Sequence, residues 1–324
     1  MVEFRRKLLF LFFLVFIISC VPEDDAALDS FEAGSWNEYK TSDGLAGNTV
    51  LSLFEDSKGN IWIGTFEDGV SVFNGESFKN YDVSDGLSSN YVSSITEDKD
   101  GRIWFATDAG VSILDDGDWY YLIYFEGVAC NSLVRMENGD ILVATGGYGV
   151  HRYDISADNI EVYYQDEICG LCNNANIVFV DTDENVWIGT DQGIIRKKGN
   201  SIKEFTSENL STDRIFAIKQ DKWGNIWVGT REGETSISRI TGNDAEEVYL
   251  NGFDSNWTYD FAVQDDGTVW ISTLTSGLYR YDGALMRKEL SHLQETPLTS
   301  LLKDSKGNIW IGTIDSGLAK HVPN

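Results

Sequence analysis

From residue 35 onward the chain alternates short apolar runs with turns rich in Asp, Asn and Gly. The unit is clearest at residues 50 to 81. Val50 to Phe54 is an apolar run of strand length, which reads as a strand buried on both faces. Asp56, Lys58 and Gly59 supply a tight turn, the carboxylate accepting local backbone N–H groups and the glycine tolerating positive φ. Ile61 to Thr65 alternates so that Trp62 is buried between neighbouring units, with Gly64 keeping room for it. Asp68-Gly69 makes a second turn, Val70 to Phe73 a third strand, and Phe78 and Tyr81 mark a fourth, outer one.

This pattern recurs seven times. Its central position holds Trp62, Trp104, Leu142, Trp187, Trp227, Trp270 and Trp310, at spacings of 42, 38, 45, 40, 43 and 40 residues. A period near forty with four short strands per unit predicts an all-β fold, a seven-bladed β-propeller of four-stranded antiparallel blades. The seventh copy stops at Val322, where only its third strand is complete. Ser35-Trp36-Asn37-Glu38-Tyr39 fits the missing outer strand, so residues 35 to 40 are expected to close the last blade and leave the ring without an open edge.

Composition narrows the partners. The 324 residues carry 25 Lys plus Arg against 52 Asp plus Glu, a formal net charge of −27, which repels phosphate backbones and anionic lipid surfaces. Nucleic acid is therefore excluded as a partner, membrane contact is expected only through a lipid anchor, and a monomer is expected. Arg5, Arg6 and Lys7 precede an apolar run from Leu8 to Ile18, whose eleven residues are too few to span a bilayer and read as an export signal. Ile17-Ile18-Ser19-Cys20 resembles a bacterial lipobox, in which the cysteine is acylated and becomes the first residue. The organisation expected is thus a lipoprotein signal peptide over 1–19, an acidic tether over 20–34 and a propeller over 35–324. Val21 after the cysteine favours the outer membrane, with a periplasmic-facing or cell-surface position both open.

The repeat Asp-x-x-Gly-Asn-Ile-Trp-Ile-Gly-Thr, complete at residues 56 to 65, resembles the two-component regulator propeller repeat, and the resemblance covers residues 35 to 324. It implies a periplasmic sensor-type domain that detects extracellular ligands such as glycans, and supports binding more than catalysis. No kinase and no second apolar segment follows within this sequence, which puts direct signalling across a membrane in doubt. The expected reading is a cell-envelope propeller that binds an extracellular small molecule, a glycan or an envelope protein.

In propellers ligands sit at the channel mouth, on the face made by the loops that lead into each inner strand and those joining second and third strands. The first set repeats Gly-Leu-x-x-Asn at Asn48 and Asn90, and more loosely at Asn131, Asn174 and Asn256, which singles these out as a ring of amides for a neutral polar ligand, or as caps of their own loops. Tyr91, Tyr148, Arg214, Arg231 and Trp257 add aromatic platforms and charge-assisted donors. Cys130 and Cys172 fall at nearly equivalent positions of adjacent units. In an oxidising compartment Cys130 is expected to pair with Cys172 or Cys169.

No histidine sits in a motif with a nucleophile, and no spacing argues for a metal or another cofactor, while a structural divalent cation stays open. The enzymatic alternative comes from a second resemblance, to the streptogramin lyases, whose propeller repeats also contain Asp-x-x-Gly-x-Ile-Trp. That resemblance implies a lyase using histidine, glutamate and a divalent metal. His151 is the nearest candidate, with no second histidine to match it. A glycan-active enzyme using paired carboxylates is the other alternative.

Overall fold

The computed structural model describes residues 34–165, 173–208, 210–231, 235–249, 257–289 and 296–323, with Phe253, Ser255 and Leu293. The segments 1–19 and 20–33, Cys20, Cys169, Cys172 and Asn256 lie outside the described residues.

The described residues form seven four-stranded antiparallel sheets. Six are simple meanders, blades 1 to 6 at 50–81, 92–121, 130–164, 175–205, 215–247 and 258–288. The seventh combines Leu298–Lys303, Ile309–Thr313 and Leu318–Val322 with Ser35–Tyr39, which pairs antiparallel with Leu318–Val322 as expected. Trp36 reaches the core between blades 6 and 7, and Tyr39 stacks 5.9 Å from the Trp310 ring. The closing strand is thus held by side chains as well as by its ladder.

The core lies between blades. Trp62 of blade 1 stacks on Tyr81 at 6.2 Å and meets Phe105 of blade 2 edge-on at 5.6 Å. The same apolar cluster includes Val92, Ile95 and Leu114 of blade 2. Gly64 is small for a reason other than room for the indole: a Cβ there would come 2.6 Å from the Val92 carbonyl oxygen and 2.3 Å from Ser52 Oγ. The inner strand of the next blade simply passes too close.

The turn aspartate does more than the sequence suggested. Asp56 Oδ1 accepts the N–H groups of Lys58 and Asn60, and Oδ2 accepts Asn60 Nδ2 and the Trp62 indole at 2.9 Å. Equivalent indole bonds join Trp104 to Asp98, Trp187 to Asp181, Trp227 to Asp221 and Trp310 to Asp304, at 2.7 to 3.0 Å. In these five blades the tryptophan and the aspartate act together, while blade 6 keeps Trp270 with Gln264 at the aspartate position. Blade 3, with Leu142 at the tryptophan position, has Met136 where the aspartate would stand.

Each inner strand also carries one residue too many. Val50 pairs with Thr65 and Ser52 with Gly64, leaving Leu51 as a bulge. The same shift leaves over Ser93, Asn131, Asn176, Phe216, Tyr259 and Thr299. A bulge bends its strand and re-aims the extra side chain. Here that side chain goes into the central channel.

Candidate functional site

All seven bulge residues line one cavity of about 590 Å³ at the ring axis, so every blade contributes to its wall. Several of them also tie the ring together. Ser93 Oγ donates to the Cys130 carbonyl at 2.8 Å, Asn131 Nδ2 to the Ala175 carbonyl at 2.9 Å and Asn176 Nδ2 to the Ile215 carbonyl at 3.1 Å. Thr299 Oγ1 donates to the Val50 carbonyl across the closure. In each case the acceptor is the residue just before the next blade's bulge. The bulge frees that carbonyl from its own ladder and a neighbour satisfies it.

One position deeper, Ser94 Oγ accepts Leu133 N–H and Ser132 Oγ accepts Val178 N–H. Blade 6 places a carboxylate there. Asp260 accepts the N–H groups of Leu301 and Phe261 at 2.8 Å, and burial still holds its carboxyl above the usual range, against the pull of Lys219 and those two N–H groups.

At the mouth Tyr91 lies edge-on to Phe66 at 5.5 Å. Burial raises its phenol, with further contributions from Tyr259 and Asp108, so the two phenols face one field although their blades stand three apart around the ring. Tyr259 stacks on Trp257 at 5.7 Å, and the Arg231 guanidinium lies 3.9 Å from the Trp257 ring centroid. Burial raises Tyr259 too, partly opposed by Arg231. A polar arc completes the rim: Asn174 Nδ2 and Asn176 Nδ2 both donate to Asp191, whose Oδ1 is 3.9 Å from Arg214 Nε.

The expected residues divide accordingly. Tyr91, Asn131 and Asn174 line the cavity, while Arg231 and Trp257 stack beside Tyr259 at its rim and Arg214 faces Asp191. Asn48 and Asn90 cap their own loops instead, accepting the N–H groups of Thr41 and Val83 at 3.0 Å. A complete ring of amides is therefore not formed by these positions. Tyr148 is 57% exposed at a loop tip, apart from the cavity lining. Sequence reasoning missed Ser93, Asn176, Tyr259 and Asp260, because a run read as a doubly buried strand gives no sign of an extra residue.

Cys130 is buried, its Sγ lies 3.5 Å from the Val128 carbonyl, and burial pushes its thiol up to about 12. His151 is a core residue of the third strand of blade 3, edge-on to Tyr124 and Phe125 at 5.4 and 5.5 Å, and burial lowers its pKa. His321 is buried in the last blade, with Trp36 4.9 Å away. Neither lines the channel. Among the described residues no group of three His, Cys, Asp or Glu side chains converges as a metal site, and no helix is long and apolar enough to cross a membrane.

Comparison with solved structures places this geometry among known rings. The extracellular domain of a hybrid two component system from B. thetaiotaomicron is 21% identical with a TM-score of 0.74, over 90% of this chain and 42% of that one. The chain thus spans less than half of that relative's length. Virginiamycin B lyase from Staphylococcus aureus, solved with quinupristin as a catalytically inactive variant, is 16% identical with a TM-score of 0.73, over 90% of this chain and 99% of that one. PorZ, a surface component of the type-IX secretion system of Porphyromonas gingivalis, is 17% identical with a TM-score of 0.67, over 86% of this chain and 47% of that one. At these identities the likeness is one of fold. No curated protein matches the chain. The family model described as two component regulator propeller matches residues 44–67, 86–109, 209–232 and 292–315, each segment running from a loop leading into an inner strand to the end of the second strand. The chain is a seven-bladed propeller, and four of its repeats match the two component regulator propeller.

Proposed function

We propose that this chain is a cell-envelope binding propeller that takes an extracellular polar ligand, of the glycan class, at the channel mouth and releases it unchanged. One observation carries the reading: seven bulged strands aim one side chain each into a single cavity of about 590 Å³. That volume lies in the range of small-ligand sites, roughly 300–1,000 Å³. Tyr91, Tyr259 and Trp257 offer flat apolar faces to a sugar ring. Asn131, Asn174, Asn176 and Asp260 supply fixed acceptors and donors for hydroxyl groups. The likeness to the extracellular part of a two component system supports an extracytoplasmic location.

Export and anchoring belong to the same proposal. Arg5 to Cys20 supports acylation of Cys20 and retention at the outer membrane. Labelled fatty acid should enter the wild-type protein and not Cys20→Ala.

The ligand test is thermal unfolding against a panel of oligosaccharides, small metabolites and divalent cations, since anything that binds the folded state alone raises the midpoint. A shift that grows with concentration for one glycan and vanishes in Tyr259→Ala supports the reading. Silence across the panel defeats it for those classes, and turnover of a panel compound replaces it with the lyase or glycan-active alternative.

A further inference from the structure

A second surface stands on the rim of blade 2, away from the channel wall. Its outer strand, Asp118–Tyr121, and the turn that follows expose Tyr120, Tyr121, Ile123 and Tyr124 to 54%, 63%, 75% and 53%. Four large apolar side chains open to water within five positions require an explanation. Among the described residues no other outer strand resembles it: the rest carry charge within the strand, with Glu38, Lys79, Glu161, Lys203, Glu246 and Arg287 among them. Such charges keep an edge from pairing with foreign strands. In blade 2 the only charge is Asp118, at the hairpin turn.

The edge is also open in its backbone. Leu122 N–H donates inward to the Val111 carbonyl, so by antiparallel alternation the N–H and C=O of Trp119 and Tyr121 point outward. Beside it lies a groove of about 450 Å³ floored by Leu87, Val111 and Leu122, with Val83 and Tyr121 in its walls. Asp82 and Asp85 flank it and Glu126 lines it. Lys79 of blade 1 is the basic residue near this groove, within the field of Asp85; from Asp82 to Asn131 the only others are Lys99 and Arg102, in the turn between the first two strands on the opposite face, so carboxylates stay in excess.

We infer that this edge receives an extended segment of a partner protein, with alternating apolar and basic side chains, as a fifth strand of blade 2. The basic side chains of the segment lie on the groove face, their stems over Tyr121 and Ile123 and their charges towards the carboxylates, while its apolar ones cover Tyr120 on the opposite face. The charge argument selects this occupant. A second copy would bring a formal charge of −27 against −27, and an anionic lipid surface is repelled for the same reason.

The probe is a fluorescein-labelled nine-residue peptide of alternating lysine and valine, with a glutamate and valine peptide and an alternately N-methylated lysine peptide as controls. Fluorescence anisotropy should show the lysine peptide binding at least about tenfold tighter than either control, with the gap to the glutamate peptide shrinking in high salt. Tyr121→Thr with Ile123→Thr should weaken it about tenfold, in line with two exposed side chains covered on binding. Both side chains are exposed, so the thermal midpoint should not move. The inference is overturned if the peptides bind equally or not at all, or if the double variant binds as well as wild type. It is also overturned if light scattering finds a dimer that the double variant dissolves, which assigns the edge to a second copy.

Discussion

Replacing Asp98 by alanine removes an acceptor of four hydrogen bonds at a site only 1% exposed. Oδ1 holds the N–H groups of Asp100 and Arg102, and Oδ2 holds Arg102 Nε at 2.6 Å and the Trp104 indole at 2.8 Å. The turn amides and the Arg102 side chain, 26% exposed, recover water. The indole cannot, because Trp104 is fully buried. A stranded buried donor costs about 1–3 kcal/mol, and loss of the turn bonds adds about 1 kcal/mol, so the variant should lose about 3 kcal/mol. The informative measurement is a double-mutant cycle with Trp104→Phe, which deletes the donor and leaves the same small void in both arms. Asp98→Ala should then cost about 2 kcal/mol less in the phenylalanine background, read from urea titrations followed by far-UV circular dichroism at constant m. A coupling below about 0.5 kcal/mol would refute the claim that carboxylate and indole form one unit.

Further consequences are equally measurable. Gly64→Ala should destabilise by about 2–3 kcal/mol in chemical denaturation, since its Cβ meets the Val92 carbonyl at 2.6 Å and that backbone belongs to another blade. Glu289 is buried and its carboxyl is raised from 4.5 to about 7, burial outweighing Arg280. The folded state therefore holds this proton more tightly, and the stability it contributes is complete below pH 4.5 and lost as pH rises through about 7. Stability profiles should show wild type losing roughly 2 kcal/mol over that window relative to Glu289→Gln, and parallel profiles would contradict it. Cys130 in reduced, folded protein should resist iodoacetamide at pH 8 and react once unfolded, because burial holds its thiol near 12; rapid labelling of the native state, read by mass spectrometry, would show the burial to be wrong.

The ring was legible in the sequence because its signals are local and repeated. Tryptophan spacing gives the blade count, the Gly-rich turns delimit the strands, and Ser35 to Tyr39 matches a strand that the seventh copy lacks. The channel lining was legible only in part, for a physical reason. A bulge is defined by two strands together, so Ser93, Asn176 and Tyr259 look like ordinary strand residues until Val92, Ala175 and Thr258 are seen paired one step out of register. The loop asparagines had two readings, and the structure divides them. Asn48 and Asn90 repeat because each loop needs the same internal cap, whereas Asn131 and Asn176 sit at bulges and reach neighbouring blades.

The closing strand also settles which way the molecule faces its attachments. Ser35 pairs with Val322, so the two ends emerge side by side, at the end of the last blade nearer the turns that hold Asp56 and its counterparts. Tyr91, Tyr259 and Arg231 lie on the other side. Whatever is joined to either end, a lipid, a tag or a further domain, hangs from one point beneath the ring like the stem of a cup. An immobilised sample held by either end should present the mouth unobstructed.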